Sequence, residues 1–129
     1  MLYTPEMSRR ARVIELWATL KYLGTQGVDE LVLGLHQRAV QFAKELIEQD
    51  FWVINDVVFN QVLVGFDRDD RYTLDIVEHI QKSGECWVGT SMWDDAKVIR
   101  ISVCSWATTE EDVSRSARAF IAARTAVGN

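Results

Sequence analysis

The pattern that most constrains this chain is one long amphipathic stretch. From Val28 to Gln49 the apolar residues Val28, Leu31, Val32, Leu35, Ala39, Phe42, Ala43, Leu46 and Ile47 recur at helical spacing. Asp29, Glu30, Gln37, Arg38, Gln41, Lys44 and Glu45 take much of the other side. Such a helix must lay its stripe on another layer, so whatever follows has to supply an apolar partner face. Gly34 inside it costs a little helix propensity and does not break the pattern.

The periodicity changes immediately afterwards. "FWVINDVVFNQVLVGF" is β-branched and aromatic and predicts two strands, about 51–55 and 57–66, with Asn55-Asp56 bending the chain between them. "DRDDR" is a polar loop. "YTLDIVEHIQKSG" predicts a short helix with Leu74, Val77 and Ile80 inward and Gly84 just past its end. "ECWVGTSMWDDAKVIRISVCSW" predicts strands at about 86–90 and 97–104, joined through Asp94-Asp95. In "TTEED", Thr108 stands three residues before Glu111, the spacing of a capping box, for a last helix over 109–125 that buries Val113, Ala117, Phe120 and Ile121.

Upstream lies "TPEMSRRARVIELW". Pro5 keeps Thr4 out of helix, and Ser8 is a good N-cap. Val13, Ile14, Trp17, Leu20 and Leu23 then recur at helical spacing until Gly24, which suits a left-handed stop. The order α, α, β, β, α, β, β, α implies a two-layer α+β domain, with a largely antiparallel sheet and its helices on one face. The first helix carries more apolar surface than so small a sheet needs once the longer helix is docked. Arg9, Arg10 and Arg12 sit at its start, where the helix dipole disfavours cations, so an anion or an acidic surface is expected nearby.

Composition narrows the function. With 129 residues the chain suits one domain with a real core, and 48% hydrophobic with 26% charged residues is the profile of a folded protein. A net charge of −5 argues against nucleic acid, whose phosphates need a basic face. No apolar run nears the roughly 20 residues that span a bilayer, and the N-terminus has no signal-peptide core, so a cytoplasmic protein is expected. Cys86 and Cys104 lack metal-ligand and CxxC spacing and sit in apolar runs, so buried thiols in a reducing compartment are expected.

Chemistry-bearing motifs are sparse. His36 and His79 have no motif around them and are expected to be solvated or edge residues. "DRDD" lacks the glycine and closing glutamate of a calcium loop. No phosphate-binding glycine loop exists, and Lys21, Lys44, Lys82 and Lys97 fall on polar faces or edges, unlike a desolvated Schiff-base lysine. Arg100 differs. It interrupts "KVIRISVCSW" on the face of Val98, Ser102 and Cys104, opposite Ile99, Ile101 and Val103. A strand arginine pairs with a carboxylate of its own chain, lies open to solvent, or holds a ligand anion.

"PEMSRRARVIELWATLKYLGTQG", "FWVINDVVFNQVLVGF", "SGECWVGTSMW" and "VIRISVCSWATTEEDV" together resemble the C-terminal part of the pyridoxal-phosphate-dependent group II amino-acid decarboxylases, over nearly the whole chain. These include the aromatic amino-acid, glutamate, histidine and diaminobutyrate decarboxylases. The resemblance implies a fold type I dimer with a large cofactor domain and a small C-terminal domain. On it, residues 1–27 close the large domain as a connecting helix, and 28–129 form the small domain. Ser8 matches a pocket-lining position, Arg9 an anchoring arginine, and Arg100 an arginine near the substrate carboxylate of glutamate-type members. The family's cofactor lysine lies in a His-Lys pair that this chain lacks. The resemblance therefore implies a C-terminal fragment, inert alone and binding no pyridoxal phosphate by itself, self-associating and completed by a missing large domain. The other expectation from the residues is an independent α+β module that binds an anionic metabolite or serves assembly.

Overall fold

The computed structural model describes residues 13–128, so Ser8, Arg9, Arg10 and Arg12 lie outside the described residues. It comprises two compact units, residues 1–32 and 33–129. The elements are α1 (Val13–Ile47), β1 (Trp52–Val53), β2 (Gln61–Gly65), α2 (Asp70–Ser83), β3 (Gly89–Trp93), β4 (Ala96–Ser102) and α3 (Glu110–Val127).

The two N-terminal helices expected from the sequence run together as α1, with a break at Gly24 (φ 64°, ψ −174°). The expected left-handed stop is not formed: with ψ near 180° Gly24 takes an extended positive-φ conformation that only glycine adopts readily, which breaks the helix without ending it. Helix resumes directly after it and not at Val28, so Gly27 lies inside. In the first unit the apolar side chains Val13, Ile14, Leu16, Trp17 and Leu20 are all exposed.

The second unit is built around one sheet of order β1-β2-β4-β3, antiparallel throughout. Its inner face presents Val62, Val64, Ile99, Ile101 and Val103, which meet Phe42 and Leu46 of α1, Ile76 and Ile80 of α2, and Val113 and Phe120 of α3 in one buried cluster. A ladder of edge-on aromatic rings threads it, from Phe42 to Phe120 (5.7 Å), Phe51 (5.9 Å), Phe66 (6.3 Å) and Tyr72 (5.2 Å). The expected α+β architecture is present.

The boundaries shift for identifiable reasons. The first two strands are shorter than expected because Asn55 diverts the backbone. Its side chain accepts from Leu63 N (2.7 Å) and donates to the Asp56 and Gln61 carbonyls, replacing ladder bonds. β3 starts at Gly89, not at 86. Asp94 and Asp95, both with positive φ (47° and 63°), close a two-residue hairpin that pairs Trp93 with Ala96. The α3 cap falls one residue later than the Thr108–Glu111 reading. Thr109 is the N-cap, its hydroxyl accepting from Asp112 N while Asp112 accepts from Thr109 N. α2 begins at N-cap Asp69 and ends at left-handed Gly84.

Candidate functional site: an arginine on the open face of the sheet

Strand alternation sets the site. Residues 99, 101 and 103 turn into the core, so Arg100 points out of the opposite face of β4 and is exposed. Register names its surroundings. Leu63 of β2 lies directly across on one side and Gly89 of β3 on the other. Val98 and Ser102 flank it along its own strand. None of these four residues is charged. Among the described residues, no ion pair or hydrogen bond engages the guanidinium.

The other arginines of the second unit give the contrast. Arg38 pairs with Glu110 (3.1 Å), Arg71 with Asp75 (2.9 Å), Arg115 with Glu85 and Arg118 with Glu111 (2.8 Å). Arg124 stacks on Phe51 (4.1 Å) and Arg68 on Tyr72 (5.2 Å). Each has a structural contact, and Arg100 has none of these kinds. Of the alternatives open at the sequence level, an internal ion pair is excluded among the described residues. What is left is an exposed cation, either simply open to solvent or holding a ligand anion.

A cleft of about 400 Å³ lies at the C-terminal end of β4, with Ser102, Cys104, Cys86, Trp87, Asp112 and Ser116 among its lining residues. Here the expectation of two buried thiols is corrected: Cys104 is exposed and Cys86 half-buried. Cys104 shares the outward parity of Arg100 and follows the last paired residue of β4, so no layer covers it. Burial pushes the Cys86 thiol up, opposed by a hydrogen bond with Ser116. Asp112 is held below the usual carboxylate range by hydrogen bonds from the Thr109 backbone and hydroxyl. One of its oxygens, Oδ2, accepts both of these cap bonds.

The histidines divide. His79 is exposed, as expected. His36 is half-buried and shares a 2.9 Å hydrogen bond between Nδ1 and the Phe59 carbonyl, tying α1 to the β1–β2 connection. Lys21, Lys44 and Lys82 are exposed, and Lys97 sits at the hairpin, its backbone N–H donating to Asp70 (2.8 Å). Among the described residues no group of three or more metal-ligating side chains forms, and no helix is long and apolar enough to cross a membrane. Gly89 had no place in the sequence-level site. The signal was present, a lone glycine in a strand pattern.

No family model matches the chain. Among solved structures it is similar to Oryza sativa TDC with PLP and tryptamine: TM-score 0.85 and 20% identity over 97% of this chain and 29% of that one. Catharanthus roseus tryptophan decarboxylase in complex with L-tryptophan gives 0.81 and 16%, over 93% of this chain and 26% of that one. Rhodiola rosea 4-hydroxyphenylacetaldehyde synthase gives 0.79 and 22%, over 92% and 27%. The chain thus spans less than a third of the length of the proteins it matches, and its fold is that of the C-terminal portion of such enzymes.

Proposed function

We propose that this chain is the C-terminal part of a pyridoxal-phosphate-dependent amino-acid decarboxylase, and that Arg100 receives a carboxylate of the substrate on the open face of the sheet. The observation that carries the reading is the shared fold over nearly the whole chain, with Arg100 at its centre as the one arginine among the described residues that has no ion pair, hydrogen bond or aromatic stacking. A guanidinium offers paired donors in a fixed plane, which suits a carboxylate.

The described residues do not fit the cofactor. An aldimine lysine has to be desolvated to be nucleophilic at neutral pH, and three of the four lysines here are exposed while the fourth borders a hairpin. No step is therefore assigned to a cofactor on this chain. When bound elsewhere in the longer polypeptide, the group would act as the electron sink. The chain's own part is to bind and orient. In this reading residues 1–27 close the large domain and 28–129 form the small one. Ser8 and Arg9 reach the substrate region, and the exposed apolar residues of the first unit meet the large domain or a second copy.

The test joins this coding region to any open reading frame continuous with it upstream. The reading expects a His-Lys segment there, a visible aldimine absorbance in the joined protein, CO2 release from an amino acid, and an increase in KM for Arg100→Met. The 129-residue chain mixed with pyridoxal phosphate is expected to give no discrete band. A stoichiometric band lost on mutating one of its four lysines, or turnover by it alone, overturns the reading. The exposed Arg100 also suits the other expectation, an anion-binding module without catalysis. Submillimolar binding of a phosphate or an amino acid to the isolated chain, lost in Arg100→Ala, together with no His-Lys segment upstream and no CO2 release from the joined protein, would favour that.

A further inference from the structure

Gly89 has no structural reason to be glycine. Its φ is not among the positive values of the chain, so the backbone makes no demand for it. Neither does packing. A Cβ built on it would meet one heavy atom within 4 Å, Arg100 Nη2 at 4.0 Å, an ordinary contact. Gly65, on the same sheet, is the opposite case: a Cβ there would press on Ile54 (3.0 Å) and the Trp52 ring (3.1 Å). A glycine within a strand weakens it, and where conformation and packing do not require it, it commonly marks a place that a ligand or another backbone approaches closely. Gly89 stands directly across from Arg100, and the guanidinium extends over its bare backbone.

We infer that Gly89 is the floor of the Arg100 carboxylate seat and sets which acids that seat admits. A ligand carboxylate comes down on the guanidinium from the β3 side, through the space a side chain at 89 would fill. By register Ser91 and Ser102 stand on the same face as Gly89 and Arg100, and neither brings a competing charge. The seat therefore takes acids whose chain passes close over β3, and a larger residue at 89 narrows it from the bulkier acids downward. This rests on the reading of Arg100 as a carboxylate site.

The test uses the 129-residue chain and its Arg100 side-chain Nε–H NMR signal, assigned by its loss in Arg100→Lys. Acetate and glutarate are titrated at low ionic strength into wild type, Gly89→Ala and Gly89→Val. Expected are a saturable shift in wild type, a glutarate response at least fivefold weaker in Gly89→Val, and a smaller loss for acetate. Gly89→Ala should melt at the wild-type temperature or above. A wild-type signal indifferent to both acids overturns the Arg100 reading, and this inference with it. A wild-type response that Gly89→Val preserves overturns the inference alone. So does a Gly89→Ala melting point several degrees lower, since glycine would then be serving the fold.

Discussion

Asp50 holds a conformation that glycine favours. Its φ is 60°, at the point where α1 ends. Phe51 N donates to the Leu46 carbonyl (3.1 Å) and Asp50 N to the Ile47 carbonyl (3.0 Å), the paired bonds of a left-handed helix stop. Asp50 contributes its own carbonyl to Arg124 (3.4 Å), a contact any residue could make. Asp50→Gly should therefore stabilise the fold by about 0.5–1 kcal/mol, read from chemical denaturation. The two thiols make a second residue-scale contrast. Exposed Cys104 should react with iodoacetamide in the native chain at least tenfold faster than half-buried Cys86, as peptide mapping would show. The Cys86 thiol is raised by burial. Its contribution to stability is accordingly complete below the unfolded thiol value and is lost as pH rises through the folded one. Stability should thus decline above about pH 8.5, and Cys86→Val should flatten that decline.

At the scale of elements, the α3 cap shows how far sequence reasoning reached. "TTEED" carries the signal for a capped start, and two adjacent threonines offer it two registers. Tertiary packing chooses, because Val113, Ala117 and Phe120 must face the sheet, which sets the first turn at Glu110 and the cap at Thr109. Thr109→Ala should cost about 1 kcal/mol in thermal or urea unfolding, while Thr108→Ala should change little. Equal losses would mean the cap is shared. Alternation read β4 correctly from Ile99 to Val103, since burial on one face leaves no choice of register. The short β1 and late β3 were not legible, as their ends depend on Asn55 hydrogen bonds and on a hairpin formed with β4. Arg100 was legible as an outward residue, but its lack of a carboxylate neighbour needed the register of β2 and β3. The exposure of Cys104 depended on where β4 stops being covered, which an apolar run does not reveal. Ser8 and Arg9 rest on the resemblance alone.

At the scale of the molecule, the buried residues among those described fall between Ala39 and Ala123. None of the described residues before Leu33 belongs to the core, although Leu16, Trp17 and Leu20 are as apolar as those that do. Hydrophobic stabilisation follows area removed from water, roughly 25 cal/mol per Å², so an exposed apolar helix adds little to the stability of the rest. The same exposure is costly for solubility, because contiguous apolar patches of this kind are seldom left bare. These two consequences separate experimentally. A chain beginning at Leu33 should keep a single cooperative melting transition, within a few degrees of the parent. It should also sediment with a smaller weight-average mass at the same micromolar concentration, having lost the surface that drives association. Loss of cooperative melting would show that residues 1–32 help to hold the core. An unchanged association state would move the adhesive surface to the second unit, where Trp52, Trp87, Trp93 and Trp106 are exposed. Trp52 and Trp93 lie on the Arg100 face by their pairing with Gly65 and Ala96, so on the proposed reading of Arg100 association through them would compete with acid binding there.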